Sequence, residues 1–344
     1  MIGSGDSTST GSLIFALKKV KVLIEVRRAD KHDFPAIVGV YRTVWPDRGL
    51  TLERMLELER SFESAEYFRT HFVAEEPNGD IVGLGLLTHS LTEFDQHNLN
   101  IEVAVRPEWR RRGIGSRIFG AIEDESRSKG FRSLWAETRS DSESGVSFLS
   151  TRGFHLKRRK WQSSLELDSF VQDKYAGLVE KLRDSGIGFS SAREEKRLSE
   201  NWERKFYELN TVTGFDVPRT MEYTPPTFQQ ALMYETRSSS FVPELCVIAK
   251  KDGEYIARTG LLKAQGIPNV LLTTFTCTKR EYRNMGVATS LKSIALGNAK
   301  EMSFKSVSTI NDSLNLPMLA VNETLGFHKV VEIMRFEKSA QDSV

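Results

Sequence analysis

At 344 residues the chain is longer than one hydrophobic core usually serves, so two domains of ordinary size are expected. Hydrophobic residues make up 39% and charged residues 27%, which excludes a largely disordered polymer, and a formal net charge of +2 gives no overall basic surface for nucleic acid. The two cysteines, Cys246 and Cys277, exclude a disulfide scaffold and point to a reducing cytoplasm, while six scattered histidines offer no metal-ligand spacing, so no metal is expected.

In chain order, residues 1–20 form a leader, Gly/Ser/Thr-rich over Gly3–Ser12 and expected to be disordered. Its apolar run Leu13–Leu17 is broken by Lys18 and Lys19, too short for a signal core or a membrane span. A strand at Leu23–Val26 opens a first unit, residues 21–167, and leads into a variable helical region. Next, Phe72-Val-Ala74, an Asn-Gly turn and a second apolar run predict a hairpin. A long strand ends at Val105, and a glycine turn opens a helix over Gly115–Lys129. Ile114, Ile118 and Ile122 recur every four residues on one apolar face of that helix, and Gly130 suits a left-handed cap. A further strand, a short helix and the corner Arg152-Gly-Phe154 complete the unit. Residues 168–185, with Tyr175, Leu178, Val179 and Leu182 at helical spacing, predict a linker helix.

The second unit, 186–340, repeats the first. Glu108-Trp-Arg-Arg-Arg-Gly-Ile-Gly115 returns as Glu281-Tyr-Arg-Asn-Met-Gly-Val-Ala288, and Arg152-Gly-Phe154 as Leu325-Gly-Phe327, each 173 residues after its counterpart. Between those anchors Gly130-Phe-Arg-Ser-Leu134 falls on Ser303-Phe-Lys-Ser-Val307 without a gap. Val287, Leu291, Ile294 and Ala295 form the apolar face of the second helix, over Ala288–Met302. The strand at Ile187–Phe189, the hairpin from Val247-Ile-Ala249 to Gly253 and a long strand ending at Thr278 keep the same order.

A glycine-rich turn that follows a strand and opens a helix aims several unpaired backbone N–H groups at one point, which attracts phosphate. Gly113 and Gly115 let the backbone approach an anion, and Arg110, Arg111 and Arg112 add charge around it. Both Arg110-x-x-Gly113-x-Gly115 and Arg283-x-x-Gly286-x-Ala288 resemble the signature of GNAT acetyltransferases, whose loop cradles the pyrophosphate of coenzyme A. The approach Val103-Ala-Val105-Arg-Pro-Glu-Trp and the ending Leu325-Gly-Phe327 resemble that family too. Asn311, Asn315, Met318 and Asn322 are similar to a pattern found in proteins with two GNAT units.

The resemblance implies an α+β fold, two tandem mixed sheets each splayed between two strands and flanked by helices. It also implies direct transfer of an acetyl group from acetyl-CoA to a primary amine of a small molecule or peptide, by a monomer or homodimer. The residues it places around coenzyme A are Val103, Ala104, Val105, Arg110, Arg111, Arg112, Gly113, Ile114, Gly115 and Ser116 in the first unit. In the second they are Thr276, Cys277, Thr278, Arg283, Asn284, Met285, Gly286, Val287, Ala288, Thr289, Asn311 and Asn315. Backbone N–H groups near Val105 or Thr278 are the expected donors to the thioester oxygen.

The sequence departs from the family where a tyrosine commonly protonates the leaving thiolate, since Leu149 and Asn322 stand there. Glu102, in the strand leading to the first turn, is the candidate general base, because alternation puts it on the face opposite Val103 and Val105. Its counterpart in the second unit is Phe275. The acceptor is expected among the variable segments, about 34–68 and 201–243, where Trp45, Pro46, Arg48, Asp216, Tyr223, Pro225 and Phe228 stand. A non-catalytic acetyl-CoA-binding or interaction module is the alternative reading. A nucleic-acid binder using Arg110–Arg112 and Lys157-Arg-Arg-Lys160 is disfavoured by the acids interspersed around the first run.

Overall fold

The structure is a computed structural model that describes residues 23–63 and 66–340, so the expected leader lies outside the described residues. The first copy runs β1 (Glu25–Arg28), α1 (Phe34–Val44), α2 (Leu52–Ser61), β2 (Arg69–Glu75), β3 (Ile81–Thr88), β4 (Asn98–Val105), α3 (Ile114–Ser128), β5 (Ser133–Arg139), α4 (Glu143–Ser150) and β6 (His155–Glu166). Two short 3-10 turns and α5 (Ala176–Asp184) follow, so the predicted linker helix is real only over its second half. The second copy runs β7 (Gly188–Ser191), α6 (Ala192–Leu198), α7 (Trp202–Gly214), α8 (Phe228–Tyr234), β8 (Phe241–Lys251), β9 (Glu254–Lys263), β10 (Val270–Thr273), β11 (Cys277–Thr278), α9 (Val287–Glu301), β12 (Ser306–Asp312), α10 (Leu316–Thr324) and β13 (His328–Ser339). Among the described residues no helix is long and apolar enough to cross a membrane.

Local chemistry sets the helix starts. Thr51 Oγ1 accepts from the Arg54 N–H to cap α2, and Ser191 and Thr227 form capping boxes with Glu194 and Gln230 at α6 and α8. The 173-residue repeat is written into the backbone as left-handed residues: Arg111 and Asn284, Gly113 and Gly286, Gly130 and Ser303, and Gly153 and Gly326 all have positive φ. As predicted, Ile114, Ile118 and Ile122 are buried, each contributing about 1.5–3 kcal/mol.

All strands join one sheet in the order β1-β2-β3-β4-β5-β13-β6-β12-β10-β9-β8-β7, with β11 on β9. Among the described strands only β4–β5 and β10–β12 pair in parallel. The final strands are exchanged between copies. β13, from the end of the chain, pairs with β5 of the first copy, Phe336 opposite Ala136, while β6 of the first copy pairs with β12 of the second, Leu165 opposite Val307. β6 and β13 also pair with each other and form the seam.

In the first copy α3 covers one sheet face, with Ile101, Val103 and Val105 in its core, and α1 covers the other, with Val73, Leu84 and Ala104. In the second, α9 packs on one face with Val247, Leu261 and Val307, and α7 on the other with Cys246, Ile248 and Tyr255.

Candidate functional site: two splayed clefts

In the first copy β4 and β5 pair only from Asn98–Ile101 to Ser133–Ala136. Beyond that point β4 stays with β3, Val105 opposite Gly83, and β5 stays with β13, Arg139 opposite Ile333. The two strands are thereby drawn apart. The Arg106 N–H donates to the Val82 carbonyl on β3 (3.0 Å), so by strand alternation the Val105 N–H points the other way, into the gap.

At the head of this gap the turn enters α3. Gly113 (φ +77°) is its N-cap and supplies no side-chain acceptor, leaving the first-turn N–H groups of α3 to face outward. A Cβ placed on Gly113 would meet nothing within 4 Å. Arg110 Nε donates to the Val105 carbonyl (3.1 Å), and Arg112 lies on the Trp109 ring (4.4 Å) and donates to the Glu108 carbonyl (3.1 Å). A further arginine joins them that the family pattern does not mark. Arg152, immediately before the Gly-Phe corner, lies on the Phe148 ring (3.6 Å) and donates to Ser116 Oγ (2.6 Å). Among the described residues none of Arg110, Arg111, Arg112 or Arg152 makes an ion pair.

The second copy repeats this backbone but not its surroundings. Arg283 Nε donates to the Thr278 carbonyl (3.0 Å), as Arg110 does to Val105. Its guanidinium also pairs with Asp216, as does that of Arg280 (Nε to Oδ1, 2.9 Å), and these two arginines hold the Asp216 carboxyl below its usual range. Asp216 therefore neutralises the turn instead of lining an acceptor site. A Cβ on Gly286 would lie 2.8 Å from Leu178 of α5, which covers the turn, and Ser290 is fully buried where its counterpart Arg117 is exposed. Asn284 and Met285 replace two arginines. Val287, next in the turn, is buried in the core, and Ala288 and Thr289 follow in the first turn of α9.

The long strand expected to end at Thr278 is broken: β10 stops at Thr273, and residues 274–276 leave the ladder before Cys277–Thr278 rejoin β9. Thr276 Oγ1 is hydrogen-bonded to Thr259 Oγ1 (2.8 Å), and burial raises the pKa of the Cys277 thiol. Asn311 Oδ1 accepts from Asn322 Nδ2 (2.7 Å), and Asn315 caps α10 through the Met318 N–H (3.4 Å). Leu149 and Asn322, at the tyrosine position, are both buried.

Glu102 shares a sheet face with Ala104, opposite Val103 and Val105, as alternation requires. β4 runs without a bulge at this point. Arg48 Nη1 stands 3.5 Å from Glu102 Oε1, with its guanidinium over the Trp45 ring (4.8 Å). Burial, with Glu102 nearby, pushes the Tyr41 hydroxyl up to about 12. On β5, burial opposes ionisation of Glu137, but Lys160 (2.6 Å), with Arg335 and Arg48, holds its carboxyl below the usual range. In the second copy Phe275 replaces Glu102. Beside it lies Arg258, held by both oxygens of Glu235 (2.5 and 2.9 Å) and by Asn210 (2.8 Å). Tyr223 lines a cavity between the two copies, whereas Phe228 packs on Tyr207. The basic run 157–160 is paired residue by residue with Glu337, Asp312, Glu332 and Glu137.

Residues 34–154, the first copy, match the model of the acetyltransferase (GNAT) family. The first copy thus belongs to the GNAT family. Among solved structures, the chain is similar to a tandem GNAT protein from the clavulanic acid biosynthesis pathway (18% identity, TM-score 0.69, 92% of this chain and 99% of that one). It is also similar to a GCN5-related N-acetyltransferase from Sphaerobacter thermophilus (17% identity, TM-score 0.63, 92% and 95%). At these identities the likeness establishes the fold, two GNAT units in one chain. A search of curated proteins finds no match. Among the described residues no group of three or more His, Cys, Asp or Glu could hold a metal ion.

Proposed function

We propose that this tandem GNAT protein is a cytoplasmic N-acetyltransferase, monomeric or homodimeric, that binds acetyl-CoA in its first copy and acetylates a primary amine of a small molecule or peptide. The observation that carries the choice of copy is the contrast at the glycine turn. Around Gly113 the space is open and, among the described residues, its four arginines form no ion pair, whereas Gly286 lies under Leu178 and its arginines are held by Asp216. The first turn fits a pyrophosphate; the second does not.

Acetyl-CoA supplies an activated acetyl thioester. The chain's own contribution begins with the outward N–H groups of the α3 first turn and with Arg110, Arg111, Arg112 and Arg152, which hold phosphate oxygens. The Val105 N–H, aimed into the gap, donates to the oxygen of the transferred acetyl group. Glu102 takes the proton of the attacking amine, directly or through one water, and Arg48, Trp45 and Glu137 shape the entry on its face of the sheet. With Leu149 at the tyrosine position, no side chain there can return a proton, so the thiolate departs unassisted by that residue. The second copy serves as a scaffold: its exchanged strand β13 completes the first copy's sheet. In this way the reading of a copy without catalysis is retained for the second copy alone.

Calorimetric titration with acetyl-CoA tests this assignment. One site per chain, lost in Gly113→Val and kept in Gly286→Val, is expected, together with coenzyme A release in the presence of an amine panel. Two sites, or one that survives Gly113→Val, would refute the choice of copy.

A further inference from the structure

A cavity of about 700 Å³ lies between the two copies. Both variable segments reach it: Leu58 and Phe62 from the first, Phe206, Tyr207 and Tyr223 from the second. Its walls are tied together across the copies. The Thr224 N–H donates to the Thr92 carbonyl (3.1 Å) and Thr224 Oγ1 to the Phe94 carbonyl (3.1 Å), while Gln230 Nε2 donates to Ser61 O (3.3 Å) and the Ser239 N–H to Glu57 Oε1 (2.9 Å). The volume is that of a site for a small organic molecule.

Four arginines line it, and three have a carboxylate: Arg54 has Glu57 (3.0 Å), Arg69 has Glu59 (2.6 Å) and Arg258 has Glu235 (2.5 Å). Arg219 has none. Its Nη1 donates to the backbone carbonyls of Gly214 and Val217, and its guanidinium lies on the Tyr223 ring (4.3 Å). Gly214 must be glycine here, because a Cβ would run into that ring. Partial burial opposes the charge on Arg219 more than Glu93 supports it, so the wall carries a partly desolvated cation with spare donors and, among the described residues, no carboxylate bonded to it. A carboxylate is the complementary group, matched to a guanidinium by paired hydrogen bonds.

We infer that this cavity binds a small organic acid, its apolar, aromatic body between Phe62, Phe206 and Phe275 and its carboxylate on Arg219. The inference does not depend on acetyl transfer, since binding is read without acetyl-CoA. The acid is either one end of the acceptor or a separate effector, and both present the same chemistry to the cavity.

The test is calorimetry of the intact chain with 3-phenylpropanoate and with its neutral analogue 3-phenylpropanamide. The acid is expected to bind about tenfold more tightly or better, Arg219→Gln to erase that preference, and Arg219→Lys to keep part of it. Leu58→Trp, which fills the cavity, should remove both ligands, and thermal melting with acetyl-CoA titration verifies that each variant is folded. Equal affinity for acid and amide, an unchanged preference in a folded Arg219→Gln, or no binding of the acid up to about 10 mM overturns the inference. Acetylation of L-phenylalanine, inhibited competitively by 3-phenylpropanoate, assigns the acid to the acceptor; bound acid that leaves the KM of every amine unchanged assigns it to an effector.

Discussion

Arg48 and Glu102 face each other across the mouth of the first cleft, Nη1 to Oε1 3.5 Å, although 54 residues separate them in the chain. At that distance the contact is a loose ion pair, and an incoming amine can take the place of the guanidinium beside the carboxylate. Glu102→Gln keeps the shape and removes the base. It is expected to lower kcat/KM about a hundredfold or more while leaving acetyl-CoA affinity unchanged by calorimetry. Full activity in this variant would move proton removal elsewhere, Glu137 being the next carboxylate on the cleft wall.

Arg152→Ala removes a stacked cation from beside the first phosphate turn, with no carboxylate left stranded by its loss. An increase of about five- to tenfold in the KM for acetyl-CoA is expected, with kcat nearly unchanged and the effect shrinking at high salt. Arg283→Ala, in the second turn, should leave that KM alone. Equal effects of the two would mean that the second turn also carries phosphate.

The two N-cap glycines should separate binding from stability. Alanine at either must adopt a left-handed backbone, a cost of about 1 kcal/mol. At Gly286 it must also displace Leu178, which raises the loss to about 2–3 kcal/mol. Urea unfolding should therefore find Gly286→Ala the weaker fold and calorimetry should find Gly113→Ala the weaker binder.

Lys292 lies buried in α9 against the Phe327 ring (5.1 Å), and burial brings its pKa down to about 8. Because the folded value lies below the unfolded one, the folded state binds the proton less well, and the penalty is fully present below pH 8. It disappears as pH rises from 8 towards the unfolded value of about 10.4. Lys292→Met is expected to stabilise the protein at pH 7 by roughly 1–3 kcal/mol, and thermal melts should show that gain fading near pH 10. A gain independent of pH would point to packing instead.

Glu235→Gln leaves Arg258 buried without the charge of its partner, only an amide oxygen remaining as acceptor, and should destabilise the chain by about 3 kcal/mol in urea. Arg258→Met with Glu235→Leu should recover most of that loss. If the single and double variants lose equally, the pair is not what holds this part of the second copy.

Much of the cleft was legible because its determinants are local. A turn that needs left-handed residues at 111 and 113 advertises itself through glycine and its spacing, and so does its repeat at 284 and 286. The face of Glu102 followed from strand alternation alone. Contacts across the chain left no such trace. Nothing in Leu178 says that it will cover Gly286, and Asp216 reads as a loop acid until Arg280 and Arg283 close on it. The break after Thr273 was hidden because Thr274-Phe275-Thr276 has strand composition. Arg152 did leave a signal, its place immediately before the Gly-Phe corner, but the family pattern has no slot for it.

The placement of β13 beside β5 also sets a timetable for synthesis. The edge of β5 is complete at Arg139, but the strand that covers it ends at Ser339, roughly 200 residues later. At roughly 5–20 residues per second, the ribosome leaves that edge open for about 10–40 s. Throughout that interval the half-made chain presents unpaired N–H and C=O groups beside an apolar face, the template on which neighbouring nascent chains pair. Slowing translation of the second half should therefore increase aggregation of full-length protein, whereas refolding of the finished chain, with β13 already attached, escapes that hazard.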